Sequence, residues 1–512
     1  MPPTAPGGGS FTVALEDEEA TRRLAVDIAN MLEPGDVVAL SGDLGAGKTA
    51  FTRAVIRHLA SDETVAVPSP TFTLLQTYEL PRLTLAHADL YRLSDASELE
   101  ELGLDDVGDK AVVFVEWPDR VEGLLPPDRI EVALTLVPDR GPQAREATVT
   151  GLGASAARIE RLALLRRFLA DSGYAQAERH RMQGDASTRL YERLTRGDHR
   201  AILMNAPRRP DGPPVRDGKP YSALAHLAIE VTPFLAMANA LRERGFSAPQ
   251  IYQADLENGF VILEDLGSEP VVAGDPPRPI EERYAVATDV LVALHTQALP
   301  GELRVTPGRT YTLPPYDLGA FLIEVELLLD WYLPRAGIEV TQERRNEYVG
   351  LWRDALAPVL DHDKTWVLRD YHSPNLLWLA EREDIARIGL LDFQDALIGP
   401  PAYDLASLLQ DARVDVEEAL ELRLLTRYVQ ARRERDPAFD ATRLTGDYAT
   451  LAAQRASKIL GIFARLDRRD GKPQYLRHIP RIRGYLRRSL AHPTLAPLAA
   501  WYDANLPTEE EA

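Results

Sequence analysis

The stretch Gly42-Asp43-Leu44-Gly45-Ala46-Gly47-Lys48-Thr49 constrains the fold of this chain more than any other feature. It stands between an apolar run, Val37 to Leu40, and a helical pattern that begins near Lys48. A loop of this kind works as the turn between a strand and a helix. Its glycines let successive backbone N–H groups face inward around phosphate oxygens, and the following helix points its positive end at the anion. Lys48 is spaced to reach the outer phosphates of ATP, and Thr49 to offer its hydroxyl to Mg²⁺. The motif therefore predicts an α/β P-loop NTPase domain that uses Gly42, Asp43, Leu44, Gly45, Ala46, Gly47, Lys48 and Thr49 to bind nucleotide.

The flanking residues extend this domain. Met1 to Ser10 is rich in Pro and Gly and reads as a disordered start, followed by a strand over Phe11 to Leu15 and a helix over Glu18 to Leu32 capped by Asp17. Further strands are predicted at Val65 to Val67, Thr71 to Thr77, Leu83 to Ala88 and Ala111 to Glu116, with a short helix at Ser97 to Leu102. Arg129 to Val137 and Glu146 to Thr150 form a closing hairpin across the turn Pro138-Asp139-Arg140-Gly141-Pro142. The domain thus spans residues 11–150, and residues 151–157, small and uncommitted, read as a linker.

Two carboxylates in this domain fall at strand ends, where an open α/β sheet gathers its ligand crevice. Asp89, in His87-Ala88-Asp89-Leu90-Tyr91-Arg92, is placed to hold Mg²⁺ directly or through water, and Glu116, in Glu116-Trp117-Pro118, to orient a water or the metal shell. His87 reads as a hydrogen-bonded structural histidine and Trp117 as a packing residue.

These motifs, in this order, with Ser69-Pro70-Thr71-Phe72, resemble the TsaE family of small ATPases of bacterial tRNA threonylcarbamoyladenosine synthesis. The resemblance implies slow ATP hydrolysis coupled to TsaD and TsaB partners, with Thr71 in the segment that senses the nucleotide. Contact with tRNA is expected to be indirect. The net charge of −20 argues in the same direction, against a broad electrostatic grip on nucleic acid or an anionic membrane.

At 512 residues the chain holds more than one core, and Arg158 restarts an amphipathic helical pattern. From 158 to about 270 the sequence alternates strand-like runs, Ala201 to Met204 and Phe260 to Glu264, with a helix; from about 281 to 512 helices dominate. This is the order of a small α+β lobe followed by a helical lobe. Within the second part, Asp370 is followed at the fifth position by Asn375, and Asp392 comes 22 positions after Asp370 in Leu391-Asp392-Phe393-Gln394-Asp395. Phosphoryl transfer needs a carboxylate to accept the proton of the attacking hydroxyl, the role assigned to Asp370, and oxygen ligands for Mg²⁺, the roles assigned to Asn375 and Asp392. Gly184 to Tyr191 suits a loop over ATP phosphates, with Ser187 and Arg189 as contacts, and Glu264 to Leu266 a hinge whose backbone would meet adenine. The strand Ala201 to Asn205 lacks the phosphate-pairing lysine of protein kinases, so Arg189 or Arg200 is the candidate substitute. Leu368 stands where a His more usually precedes such an Arg-Asp pair.

Residues 158–512 resemble the aminoglycoside phosphotransferase superfamily and, within it, the AmgK-like amino-sugar kinases. The resemblance rests on Asp185-Ala186-Ser187, Leu203-Met204-Asn205-Ala206-Pro207, Leu263-Glu264-Asp265-Leu266-Gly267 and Leu391 to Ala396, extended by Tyr403-Asp404-Leu405. It implies a two-lobed protein-kinase-like fold and transfer of the ATP γ-phosphate to the anomeric hydroxyl of N-acetylmuramate or N-acetylglucosamine, a step of cell-wall recycling. Asp404 would brace the catalytic loop, and His295 belongs to the core. Two alternatives stay open: a kinase for an aminoglycoside or choline, and a first domain that acts only as a nucleotide-dependent regulatory module. An aminoglycoside pocket should be acidic, whereas the carboxylate of N-acetylmuramate should attract Arg or Lys near Asp370. The chain contains no cysteine, which excludes disulfides, thiolate metal sites and cysteine nucleophiles. No apolar stretch approaches a membrane span, and a cytoplasmic location is expected.

Overall fold

Seven strands surround the phosphate loop: β1 (Ser10–Leu15), β2 (Val37–Ser41), β3 (Leu75–Glu79), β4 (Thr84–Asp89), β5 (Val112–Glu116), β6 (Arg129–Leu136) and β7 (Arg145–Leu152). They form one sheet in the order β1-β7-β6-β2-β5-β4-β3. The apolar run of β2 lies at its centre because Val38, Ala39 and Leu40 are buried on both faces, and it pairs in parallel with β5 and β6. β4 is parallel to β5, while β3, β7 and β1 add antiparallel edges. The register sets Glu116 opposite both Leu40 and Asp89, so the ends of three parallel strands meet where β2 runs into the loop. Helix α1 (Glu18–Met31) begins at Asp17, whose carboxylate accepts the Ala20 N–H at 2.7 Å, and α2 (Lys48–Ala60) follows the loop.

The structure is a computed structural model that describes residues 9–71, 73–92, 110–121, 123–182 and 189–506. The helix expected at Ser97 to Leu102 lies outside the described residues, as do residues 1–8 of the expected disordered start; Ser10 already belongs to β1. Val65 to Val67 is not a strand. Its carbonyls are taken by side chains of α2, with Arg57 donating to Val65 and Arg53 to Val67, both at 3.1 Å. The strand expected from Thr71 begins only at Leu75, because Leu74 adopts a left-handed φ of 63° that interrupts extended backbone. Within residues 151–157, Gly151 and Leu152 complete β7, and α3 (Ser155–Asp171) starts after two intervening residues.

The chain divides into two compact units, residues 1–204 and 205–512. The first unit holds, after β7, α3, β8 (Glu178–Arg181), β9 (Leu190–Arg196) and all but the last residue of β10 (His199–Asn205). Charged side chains bind β8 and β9 to α1 and α2. Arg179 of β8 pairs with Asp27 of α1 and, at 2.8 Å, with Glu192 of β9; Arg166 of α3 also reaches Asp27. Asn30 of α1 donates to Glu192 and meets His58 of α2, both at 2.8 Å.

In the second unit β11 (Ile251–Asp255) and β12 (Phe260–Glu264) form an antiparallel hairpin. The helices include α4 (Tyr221–Leu224), α5 (Thr232–Arg242), α6 (Glu281–His295), α7 (Leu318–Leu327), α8 (Gln342–Leu360), α9 (Ala402–Leu409), α10 (Glu418–Arg435), α11 (Ala441–Asp470), α12 (Ile479–Leu490) and α13 (Ala496–Asn505). Among the short strands that interrupt them, β13 (Thr365–Val367) pairs with β16 (Leu397–Gly399), and β14 (Leu376–Trp378) with β15 (Ile388–Leu390). Asp370 thus lies between β13 and β14, and Asp392 just beyond β15. Helix α11 approaches α7 closely at Gly461, where a Cβ would stand 2.3 Å from the carbonyl carbon of Leu327. Among the described residues no helix is long and apolar enough to cross a membrane.

Two candidate active sites

The first site is built on the phosphate loop. Gly42, Gly45 and Gly47 take φ values of 137°, 82° and 109°, the left-handed backbone that the inward turn of the loop requires. Lys48 is buried and folds back over the loop, donating to the Gly42 carbonyl at 2.6 Å and the Asp43 carbonyl at 3.1 Å. Its ammonium also stands 3.6 Å from the centre of the Trp117 ring. Burial lowers its pKa, an effect opposed by Glu116, Asp89 and Asp43. Thr49 donates its hydroxyl to Glu116 at 3.1 Å, and the other oxygen of Glu116 meets His87 at 2.8 Å. Asp89 accepts the Ser69 hydroxyl at 2.6 Å and the Tyr91 N–H at 3.1 Å, and Thr71 donates to Ser69 at 3.0 Å. The side chains thus form two bonded groups, Thr49–Glu116–His87 at the loop and Asp89–Ser69–Thr71 beside it, brought together by the β4–β5 pairing that sets Asp89 opposite Glu116. Its oxygen donors, Thr49, Asp89 and Glu116, are of the type that suits Mg²⁺ held partly by substrate phosphates.

The second site is the loop between β13 and β14. Asp404, at the start of α9, accepts the backbone N–H groups of Leu368 at 2.6 Å and Arg369 at 2.9 Å. Burial raises the pKa of Asp404 to about 7, against the pull of these two donors. The half-buried Asp370 follows directly, and its carbonyl accepts the side-chain amide N–H of Asn375 at 2.9 Å, which fixes the orientation of the Asn375 amide. His372 and Ser373 sit behind the loop, with Ser373 donating twice to Asp411. Burial lowers the pKa of His372 to about 4. After β15, Asp392 adopts a φ of 56° and accepts the Gln394 side-chain amide at 2.9 Å. Asp370, Asn375 and Asp392 supply a proton acceptor and two oxygen ligands of the kind phosphoryl transfer uses.

The family model described as "Threonylcarbamoyl adenosine biosynthesis protein TsaE" matches residues 15–145, and that described as "Phosphotransferase enzyme family" matches residues 178–444. A curated N-acetylmuramate/N-acetylglucosamine kinase of Caulobacter vibrioides is 39% identical over 363 residues, 68% of this chain and 98% of the relative. Its namesake in Pseudomonas aeruginosa is 34% identical over 64% of this chain and 88% of its own length. The tRNA threonylcarbamoyladenosine biosynthesis protein TsaE of Rickettsia felis is 44% identical over 123 residues, 24% of this chain and 71% of the relative. The chain belongs to both families. It joins a TsaE ATPase domain to a phosphotransferase domain homologous to the amino-sugar kinases.

The site residues expected from the sequence fall as follows. In the TsaE domain the phosphate loop, Asp89 and Glu116 come together, and His87 is a buried hydrogen-bonded residue. Trp117 is more than the packing residue it was expected to be, because its ring lies against Lys48. Arg145 was missed altogether. It donates to the Ala46 carbonyl at 3.0 Å, which brings a cation from β7, distant in sequence, onto the phosphate loop. In the phosphotransferase domain Asp370 and Asn375 share one loop, and Asp404 braces it as expected. Glu264 has its carboxylate engaged by Arg242 at 3.2 Å, Arg382 at 2.7 Å and the Gln250 N–H at 3.0 Å, so its side chain anchors the end of β12. Leu266 is buried. Ser187 lies outside the described residues, Arg189 immediately precedes β9, and Arg200 is exposed on β10. His295 is buried and bonded to Tyr428 at 2.9 Å, a core residue as expected.

Proposed function

We propose that the phosphotransferase domain transfers the γ-phosphate of ATP to the anomeric hydroxyl of N-acetylmuramate or N-acetylglucosamine, and that the TsaE domain is an ATPase serving tRNA N6-threonylcarbamoyladenosine formation. The observation that carries the first assignment is the braced loop bearing Asp370 and Asn375, in a chain that spans 98% of a relative named for that activity. Asp370 accepts the proton of the sugar hydroxyl as its oxygen bonds to the γ-phosphorus, and the bond between that phosphorus and the bridging oxygen of ADP breaks. Asn375 and Asp392 would hold Mg²⁺, which supplies charge neutralisation on the phosphates. In the TsaE domain Lys48 binds the outer phosphates, Thr49 and Asp89 would hold the metal, and Glu116 orients water. TsaD- and TsaB-like proteins are the partners of this domain. Thr71, bonded through Ser69 to Asp89, is placed to pass on the state of the nucleotide.

The test is phosphate transfer by the purified chain, with ATP and Mg²⁺, to N-acetylmuramate, N-acetylglucosamine, kanamycin and choline. Both sugars are expected to be phosphorylated, and Asp370→Asn to reduce the rate by about 100-fold or more. Lys48→Ala is expected to remove ATP hydrolysis by the TsaE domain. Transfer chiefly to kanamycin or choline would overturn the sugar assignment.

A further inference from the structure

Behind the catalytic loop lies a group of charges that the reaction itself does not require. Arg369, next to Asp370, is buried and adopts a φ of 70°, a conformation that a non-glycine residue holds only when its surroundings enforce it. Its guanidinium pairs with Glu324 of α7 and leaves Nη1 buried without a hydrogen-bond partner. Lys458 of α11 pairs with the same carboxylate at 2.7 Å and reaches the Tyr403 hydroxyl at 3.3 Å. Tyr316, at 2.6 Å, and Gln454, at 3.0 Å, complete the shell of Glu324. Burial by itself would push this carboxyl up, but Lys458 and Arg369 hold it down at about 2. Glu324 is thus a fully committed anion that answers two cations.

A third cation stands on the same stripe of α11. Residues 454, 458, 461 and 465 recur at helical spacing along one face, and Gly461 brings that face against α7. The Arg465 guanidinium lies 5.2 Å from the centre of the Tyr221 ring, and its buried Nε has no hydrogen-bond partner. Nearby acids on α11 are already paired, Asp467 with Arg335 at 3.2 Å and Asp470 with Arg469 at 2.7 Å. Burial lowers the pKa of Arg465, as expected for a cation that still wants an anion. The segment after α4 is in turn fastened to the Asp392 loop, because the Ala228 N–H donates to Asp395 at 2.6 Å. Tyr221 feels the charges of Glu324, Lys458, Arg465 and Arg369, the last of which adjoins Asp370 in the chain.

We propose that Lys458 and Arg465, with Tyr221 and backed by Arg369, form a subsite for the carboxylate of an anionic acceptor sugar. The inference rests on the sugar-kinase reading and deepens it. An unpartnered donor on a buried cation is costly unless a ligand completes it, and a carboxylate offers the matching acceptor. The same excess of positive charge would repel a polycationic acceptor such as an aminoglycoside. Arg369, fully buried, is a positioning residue that sets the charge of the subsite without touching the sugar.

N-acetylmuramate carries a carboxylate that N-acetylglucosamine lacks, so the full chain can be assayed on both sugars and the ratio of their kcat/KM values compared. Arg465→Gln is expected to lower the preference for N-acetylmuramate about tenfold or more, mainly through KM, and Arg465→Lys to restore part of it. Lys458→Gln should shift the ratio in the same direction, with Tm recorded for each variant to separate folding from recognition. An unchanged ratio, or an equal loss on both sugars, overturns the subsite while leaving the kinase assignment standing. If the unaltered chain phosphorylates neither sugar, the kinase reading falls and the subsite falls with it.

Discussion

Single residues decide what the TsaE site can do. Glu116 bonds at once to Thr49, at 3.1 Å, and to His87, at 2.8 Å, which makes it the junction between the Thr49 hydroxyl and the buried imidazole. Replacing it by Gln preserves the shape and removes the charge. Glu116→Gln is expected to lower kcat for ATP hydrolysis by about 100-fold, with a much smaller change in nucleotide affinity, as read by steady-state hydrolysis and by titration with a fluorescent ATP analogue. A parallel loss of binding and turnover would instead make Glu116 a structural support for the loop. Local chemistry made much of this site legible: the glycine spacing, the Asp17 cap and the two carboxylates at strand ends all follow from rules that act over a few residues. Arg145 could not be read in the same way, because it reaches Ala46 through the return of β7 to the sheet. Arg369 was hidden for a different reason: nothing in a linear motif shows that its backbone is left-handed or that its guanidinium turns inward.

At the level of elements, β8 and β9 are fastened to α1 by buried charge. Arg179 is buried between Asp27 and Glu192, and both carboxylates raise its pKa. Removing only the cation strands buried carboxylates, which costs more than the pair contributes when intact. Arg179→Met is therefore expected to destabilise the first unit by about 3–5 kcal/mol in denaturant titration. The exposed pair of Arg22 with Glu19 provides the control, and Arg22→Ala should cost no more than about 1 kcal/mol. Similar losses for the two variants would show that the buried network holds nothing together. Most strands and helices were legible from periodicity, and the closing hairpin from its Pro and Gly turn. The failures came where tertiary contacts override local pattern. Val65 to Val67 has strand-like residues, but arginines of α2 claim its carbonyls, and the small residues at 151–157 are consumed by a strand and a helix that pack.

Across the whole molecule, histidines withdrawn from water tie stability to pH. His58, His295 and His372 have folded pKa values lowered to about 4, 3 and 4, in each case chiefly by burial, from an ordinary value of 6.5. As pH falls below 6.5 the unfolded chain takes up protons that the folded chain refuses, so the stability these groups contribute at neutral pH is lost progressively down to their folded values. Asp404 works in the opposite direction. Its folded pKa of about 7 stands above its ordinary 3.8, so the folded chain keeps a proton between these values that the unfolded chain releases, and the contribution of Asp404 grows on acidification. Three histidines outweigh one carboxyl. His58 acts in the first unit, and the other three groups act in the second, so both units should lose stability. Thermal unfolding at pH 7.5 and pH 5, in salt high enough to screen the net charge of −20, is expected to show Tm falling on the order of 5 °C in the acid sample. A Tm that holds steady or rises would mean that these imidazoles meet water or an anion in the folded chain and accept protons there, which would remove burial as the force that sets their charge.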